Sequence, residues 1–191
     1  SAYESILLQK RHELHEKVGH AIEILFSERL EEFYGLLAYH FAKAESWERA
    51  QAYILKAGEQ AGRMAADAEA LAYYQQALSA YEHAFGDQWD PVQRAALERK
   101  MGQAFYRGGG VNQALEYYYR ALAFLGHPLP KSRWLTRSVL MWEIAQLIGR
   151  SFLPILFPTR QAGPAAEEEL RIYTAIAFLG ANNAPELFLL V

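Results

Sequence analysis

The chain has no cysteine among its 191 residues. It therefore has no disulfide framework, no thiolate metal site and no thiol nucleophile. This absence fits a reducing compartment, so we expect a cytoplasmic protein.

An excess of one charge is also absent, because 19 Lys and Arg face 22 Asp and Glu for a net charge of -3. Such a balance gives no general electrostatic footprint for DNA or RNA. The sequence has no run of 18 uncharged apolar residues, and its first residues lack a basic segment followed by an apolar one. We therefore expect no nucleic-acid partner, no membrane span and no secretion signal.

Helix-forming residues dominate what is present. Hydrophobic residues make up 52% of the chain, which is enough for a sizeable core, and nearly all the acids are Glu rather than Asp. Turn residues separate segments of about 14 to 22 residues whose apolar positions repeat near every 3.6 residues. The prediction is an all-α protein of about eight helices. These helices are expected at residues 4–26, 29–44, 47–64, 67–85, 91–107, 111–126, 132–153 and 165–181.

Three predicted helix starts carry a capping side chain. Ser46, Asp67 and Asp90 each precede a predicted helix, and Pro91 follows Asp90. A side-chain oxygen at such a position accepts a hydrogen bond from an unpaired backbone N–H, and Pro suits the first helical position.

One short segment of the sequence is repeated. It occurs at residues 70–78 (ALAYYQQAL) and 114–122 (ALEYYYRAL), with a weaker copy at 50–57 (AQAYILKA). In each copy an Ala recurs seven residues after the first, with a bulky residue at the fourth step. On a helix these positions share one face, so a neighbouring helix can approach closely. We therefore expect Ala50, Ala77 and Ala121 to form tight contacts between helices.

The residues before these copies complete a longer pattern, in which aromatic, Leu and small positions of one helix precede the Ala, bulky and Ala positions of the next. One unit contains Tyr34, Leu37, Ala38, Phe41, Ala50, Ile54 and Ala57, and another contains Met101, Gly102, Phe105, Ala114, Tyr118 and Ala121. This pattern resembles the tetratricopeptide repeat. The middle unit, Gly58 and Ala61 followed by Ala70, Tyr74 and Ala77, lacks the first aromatic, and the linker Phe85–Arg94 lengthens the repeat.

The resemblance implies an α-solenoid of tetratricopeptide-like helical hairpins that forms one continuous domain over residues 1–191. Within it we expect a leading helix at 1–28, a repeat core at 29–126 and degenerate hairpins at 127–191. The chain also looks similar to the helical region that follows an AAA or STAND ATPase module in large bacterial signalling proteins, including class III adenylate or guanylate cyclases. The residues that carry this likeness are 7–15, Val18, 21–23, 30–32, 37–40, 126–133 and 173–182.

No ATPase or cyclase motif occurs in these residues, so such activities would belong to other parts of a longer protein. The apolar end Leu187–Val191, just after Pro185, likewise predicts a fragment. No catalytic constellation is found, and we expect a non-enzymatic chain without cofactor or metal. His12, Glu16 and His20 share a helix face and could in principle bind a metal ion. Their spacing is not the H-E-x-x-H pattern, and a zinc site would need a further ligand from elsewhere in the chain, so a solvated helix face is the favoured interpretation. Gly108–Gly110 is interpreted as a helix end and turn.

Two features point to partners. The basic apolar segment 131–160 is interpreted as core, with a partner or oligomer contact and a membrane contact as alternatives. In tetratricopeptide proteins the first helices of the hairpins line a concave groove. The corresponding groove candidates here are Tyr39, Lys43, Arg63, Arg99, Gln103, Tyr106 and Arg107.

Cationic and aromatic groups favour an acidic ligand. The chain is thus expected to be a protein-interaction and regulatory scaffold that binds a protein, a peptide or an adjacent domain, with homo-oligomerisation left open. The alternative is a small-molecule-sensing module coupled to an attached ATPase or cyclase. We expect the charges of Arg99 and Arg107 to be accessible, so that reversing them would leave folding intact.

Overall fold

The computed structural model describes residues 2–86, 88–128 and 163–183. In these ranges all secondary structure is helical, as predicted. The predicted helix 132–153 and the basic apolar segment 131–160 lie outside them. The elements are α1 (Ala2–Leu25), a 3₁₀ segment (Ser27–Phe33), α2 (Tyr34–Lys43), α3 (Trp47–Arg63), α4 (Asp67–Phe85), α5 (Pro91–Arg107), α6 (Val111–Phe124) and α7 (Pro164–Asn183).

The predicted helix 29–44 differs from the observed one. The α-helix begins only at Tyr34, and the 3₁₀ segment before it contains a non-helical residue, Arg29. Phe26 and Phe33 stack on each other across this segment, with ring centroids 4.3 Å apart. The two stacked rings therefore lie on either side of an interruption of the helix, which the apolar periodicity of the sequence does not reveal.

Only one of the three predicted caps forms as expected. Asp90 accepts a hydrogen bond of 3.0 Å from the backbone N–H of Val92, and Pro91 occupies the first turn. Asp67 is instead the first residue of α4, after Ala66, and Ser46 makes no side-chain capping bond. Both helices begin directly after a tight turn that is held by hydrogen bonds between backbone groups.

The same tight turn ends α2, α3, α5 and α6. Each turn has one residue with positive φ, and the next residue donates its N–H to the carbonyl five residues earlier, as in glycine-ended helices. The four bonds are Ser46 to Phe41, Ala66 to Ala61, Gly110 to Phe105 and His127 to Leu122, at 2.8–3.0 Å. Gly109 and Gly126 adopt the positive φ easily, whereas Glu45 and Ala65 adopt it (φ 58° each) without glycine's freedom.

The chain divides into two compact units, Ser1–Trp89 and Asp90–Val191. In the first unit, α1 to α4 pack on one another in chain order, and in the second α7 packs against both α5 and α6. The division falls within the linker Phe85–Arg94, where the sequence interrupts the repeat period. One continuous domain over the whole chain stays a prediction.

Each unit contains the same contact between a glycine and a tyrosine of the next helix. A Cβ added to Gly58 would lie 2.7 Å from Cε1 of Tyr74, and one added to Gly102 would lie 2.7 Å from Cε1 of Tyr118. Both pairs are 16 residues apart. The ring thus occupies the space that a larger residue would need, which is the close approach that the sequence pattern predicts.

The predicted alanine contacts are also buried. Ala50, Ala77 and Ala121 have no exposed surface. In the second unit, Ala121 belongs to a core shared with Tyr118 of its own helix and Ile172 of α7.

A buried ion-pair cluster joins the two helices of the second unit's hairpin. The fully buried carboxylate of Glu98 on α5 lies 2.8 Å from the guanidinium of Arg94 and 2.8 Å from that of Arg120 on α6. Burial alone would lower the pKa of Arg120, but the charge of Glu98 raises it overall. The two guanidinium groups offset the desolvation of the carboxylate, which would be costly to bury alone.

Replacing Ala121 by Leu should lower the free energy of unfolding by about 1–3 kcal/mol, because the added methyl groups would enter a filled core. Ala123 lies two residues away on the same helix and is exposed. Ala123→Leu is therefore the matched control, with an expected change within about 0.5 kcal/mol. Urea denaturation followed by far-UV circular dichroism measures both. Equal midpoints for the two variants would contradict the placement of Ala121 in the core.

Candidate functional site

The first unit contains an open groove between α2 and α4, above α3. One cavity of about 450 Å³ adjoins a second of about 270 Å³, and both are bordered by Gly35, Glu69 and Tyr73. We call the two cavities together the α2–α4 groove. Its full lining is Gly35, Ala38, Tyr39, Ala42, Lys43, Ile54, Ala57, Gln60, Ala61, Met64, Ala66, Glu69, Ala72, Tyr73 and Gln76.

Helical spacing explains why these residues face the groove. Residues 35, 38, 39, 42 and 43 recur every three or four positions on α2, and residues 69, 72, 73 and 76 do so on α4. Small residues at 38, 42 and 72 leave the space open. A Cβ at Gly35 would lie 2.8 Å from Oη of Tyr73, so this glycine admits the tyrosine hydroxyl at the junction of the two cavities.

A tyrosine and a lysine form a charged aromatic edge of the groove. Tyr39 is 52% exposed, and Nζ of Lys43 lies 5.8 Å from the centre of its ring. This is within the range of a cation–π contact. No carboxylate of the described residues forms an ion pair with Lys43, so its charge is available to a ligand.

Glu69 gives the groove a second, opposite charge. It lies in the first turn of α4 and borders both cavities, whereas Lys43 in the last turn of α2 borders only the larger one. The larger cavity therefore carries a positive group that the smaller one lacks. An occupant that spans both cavities would meet Lys43 at only one end.

The sequence predicts part of this site. Tyr39 and Lys43 lie together in the groove, but Arg63, which is exposed at the end of α3, is not part of its lining. Sequence reasoning missed Glu69, Tyr73 and Gln76. Their spacing of three and four residues on α4 is the signal that would have placed them on one face.

The second unit's candidates do not form a comparable open surface. Arg99 makes an ion pair with Glu168 of α7, and the two side chains are only 16% and 7% exposed. Tyr106 meets the ring of Phe178 edge-on, with centroids 6.1 Å apart. The expectation that the charge of Arg99 is accessible is therefore wrong, because α7 packs on this face of α5. Gln103 and Arg107 are exposed.

The histidines of α1 contact separate partners. His12 lies 3.8 Å from Glu45, and His20 lies 3.0 Å from Glu23, which also binds Arg49 at 2.9 Å. Among the residues that the structure describes, no group of three His, Asp or Glu side chains is arranged to hold a metal ion.

Glu23 joins α1 to α3. Besides its contacts with His20 and Arg49, it accepts a hydrogen bond of 2.5 Å from Tyr53. Burial alone would raise the pKa of Glu23, but the hydrogen bonds from Tyr53 and His20 and the charge of Arg49 lower it. Burial and the bond to Glu23 raise the pKa of Tyr53. The hydroxyl therefore remains a donor, and the bond links the two helices.

A pair of histidines links α1 to the helix that carries the groove's charged edge. Nδ1 of His15 lies 3.0 Å from Nδ1 of His40, and both rings contact the ring of Tyr39. Burial first, and then the proximity of His15, lower the pKa of His40. At this distance one nitrogen must be the donor and the other the acceptor, so the contact requires at least one neutral ring.

Comparisons of the chain with protein-family models, with the curated proteins and with the solved structures found no match. Within the described ranges, no helix combines the length and the apolar character needed to cross a membrane. The α2–α4 groove and its charges are therefore the observations from which a function can be proposed.

Arg99→Gln should destabilise the protein by about 2–4 kcal/mol, because of the described residues only Arg171, at 3.9 Å, would remain as an ion-pair partner of the buried carboxylate of Glu168. Arg107→Gln, on the same helix but exposed, should change stability by no more than about 1 kcal/mol, because the contacts of an exposed arginine contribute little. Chemical denaturation compares the two. The double variant Arg99→Met with Glu168→Met should recover most of the loss, and a failure to do so would show that the pair is not the cause.

The lowered pKa of His40 predicts a pH-dependent stability. Because the folded state binds protons less readily than the unfolded state, whose His40 titrates near 6.5, unfolding should become easier as the pH falls below about 6.5. His40→Asn should flatten this dependence between about pH 7.5 and pH 5, measured by thermal unfolding. Equal pH profiles for the parent and His40→Asn would contradict the prediction.

Proposed function

We propose that this chain is a non-catalytic interaction scaffold of tetratricopeptide-like hairpins whose α2–α4 groove binds an acidic peptide segment of a protein partner. The observation that carries the proposal is the edge formed by Tyr39 and Lys43 beside an open cavity of about 450 Å³. An exposed aromatic ring and an available ammonium group together suit a ligand with an apolar side chain and a carboxylate.

The repeated packing geometry supports the tetratricopeptide-like interpretation. The contacts of Gly58 with Tyr74 and of Gly102 with Tyr118 join equivalent positions of the sequence pattern. The same turn ends α2, α3, α5 and α6. Hairpins that repeat both their contact and their turn are the units from which an α-solenoid is built, and such solenoids use their concave surface for binding.

The charges of the groove specify how the peptide lies. Its acidic side chain binds Lys43 at the end of α2, and a small apolar side chain enters the space beside Ala42 and Ala72. Glu69 borders both cavities and Lys43 only the larger one, so the smaller cavity offers a negative charge alone and a polar or basic side chain lies there. The groove therefore selects one direction of the bound segment.

The proposal places this scaffold in the cytoplasm, within a larger signalling protein. There it links a partner or an adjacent domain to a catalytic region such as an AAA or STAND ATPase or a nucleotide cyclase. In this arrangement the groove supplies recognition, and the chemistry belongs to the attached domains. A relay of this kind requires that the bound and free states of the groove differ in their coupling to those domains.

The size of the larger cavity favours one alternative, a small-molecule sensor. A volume of about 450 Å³ lies within the usual range of about 300–1,000 Å³ for small-ligand sites. A thermal-shift screen with small metabolites tests this alternative directly. A metabolite that raises the melting temperature of the parent but not of a Tyr39→Ala variant would favour the sensor over the peptide scaffold.

For the peptide scaffold, a displayed library of random ten-residue peptides should yield binders enriched in Asp and Glu. Lys43→Glu should weaken the selected peptides about tenfold or more, because it replaces an attraction by a repulsion at the recognised carboxylate. Fluorescence anisotropy with a labelled peptide measures the affinities. Lys43 is exposed, so folding should be unaffected.

Arg63→Glu is the matched control for this experiment. It makes the same change of charge at another exposed residue of the first unit that does not line the groove. It should alter the affinity by less than about threefold at 0.15 M salt, because Arg63 lines neither cavity and salt screens charges in solvent. An equal loss for Arg63→Glu and Lys43→Glu would mean that net charge, and not the groove, drives binding.

A further inference from the structure

One face of α1 exposes a row of large apolar side chains. Leu7, Leu14, Val18 and Leu25 are each between 40% and 74% exposed. Arg11 and Ala21, also exposed, complete the row. We call these six residues the α1 stripe.

The stripe is distinct from the face that α1 packs against its own unit. That packed face contains the buried Gly19 and Ile22. A Cβ added to Gly19 would lie 2.8 Å from the ring of Phe41, so α1 and α2 touch there. At about 100° per residue, the stripe lies roughly a quarter turn around the helix from this contact. The fold of the unit therefore uses one face of α1 and leaves the stripe uncovered by the described residues.

The spacing of the stripe fits another helix. Its members follow one another at steps of four, three, four, three and four residues, which is the seam of a left-handed coiled coil. The row extends over the 19 residues from Leu7 to Leu25, whose ends lie about 27 Å apart along the helix. A seam of this length matches about five turns of a partner helix. Ile6, Leu8 and Ile24 of α1 are also exposed, outside the stripe.

The charges beside the stripe specify the partner. Lys10 and Lys17 lie one heptad apart along its outer edge, at positions that face the flank of a paired helix, and Arg11 lies within the row. All three are basic. A partner helix with Glu at its flanking positions would place carboxylates opposite these groups.

The same charges disfavour two other occupants. In an antiparallel pair with a second copy, the lysine edges of the two helices would face each other, and in a parallel pair Arg11 would meet its own counterpart. Over its whole length α1 carries four acids against three bases, so its total charge gives an anionic membrane no net attraction.

We propose that the α1 stripe docks an amphipathic helix of a partner protein, with leucine-like residues in its seam and Glu at its flanks. The interaction is a helix paired along a seam, with the apolar contact giving affinity and the Lys10 and Lys17 edge giving selectivity. It uses a surface different from the α2–α4 groove, so either interaction can fail without the other.

The experiment uses the whole chain and two synthetic 21-residue helical peptides with Leu at every seam position. One carries Glu at the flanking positions and the other carries Lys. The chain should bind the Glu-flanked peptide about tenfold or more tightly at low salt, and Lys10→Glu with Lys17→Glu should reverse the preference. Equal affinities, or a preference that the charge reversal does not change, would overturn the proposal.

A second variant separates the seam from simple charge attraction. Leu14→Asp should abolish binding of the Glu-flanked peptide, whereas Glu16→Lys, on the opposite side of α1 and also exposed, should not weaken it. Circular dichroism should show unchanged helix content for both. Sedimentation of the chain alone and flotation with vesicles containing phosphatidylserine test the rival occupants. A dimer dispersed by Leu14→Asp, or vesicle binding lost in that variant, would refute the partner helix.

Discussion

The close contact between a helical glycine and a tyrosine of the next helix determines much of this structure. Gly58 admits Tyr74 so closely that a single added carbon would collide with the ring. A glycine inside a helix costs about 1 kcal/mol in helix propensity relative to alanine. The contact offsets this cost, because it lets two helix backbones approach and fills the space between them with one rigid aromatic ring.

The groove of the first unit depends on this contact through one neighbouring residue. Tyr74 is buried against Gly58, so Tyr73, one step along α4, points about 100° away from it. That direction brings the hydroxyl of Tyr73 over Gly35 on α2. The packing code of the α3–α4 hairpin thus also positions a groove residue, and a change at Gly58 would disturb both the core and the site.

Local sequence signals predict the helices and their tight contacts well, because turn residues and small residues act over a few positions. Tyr39 and Lys43, which the resemblance to the tetratricopeptide repeat picks as groove candidates, line the larger cavity. Local signals fail for Arg99, whose partner Glu168 lies 69 residues further along the chain. No local pattern could show that α7 would supply a carboxylate there. The start of α2 fails for a different reason, because Arg29 departs from helical geometry between the stacked rings of Phe26 and Phe33 although the apolar periodicity continues there.

The two units show how side-chain size decides whether such a surface is open. In the repeat alignment Gly35 and Ala42 of α2 correspond to Arg99 and Tyr106 of α5. In the second unit these larger residues contact Glu168 and Phe178 of α7, so that an ion pair and an aromatic contact join the two helices. In the first unit the glycine and the alanine leave a cavity between α2 and α4. At α7, the carboxylate of Glu168 pairs with the guanidinium of Arg99, and the ring of Phe178 contacts the ring of Tyr106. The open groove offers a comparable pair of groups in Lys43 and Tyr39, and an acidic, partly apolar segment would satisfy them in the same way.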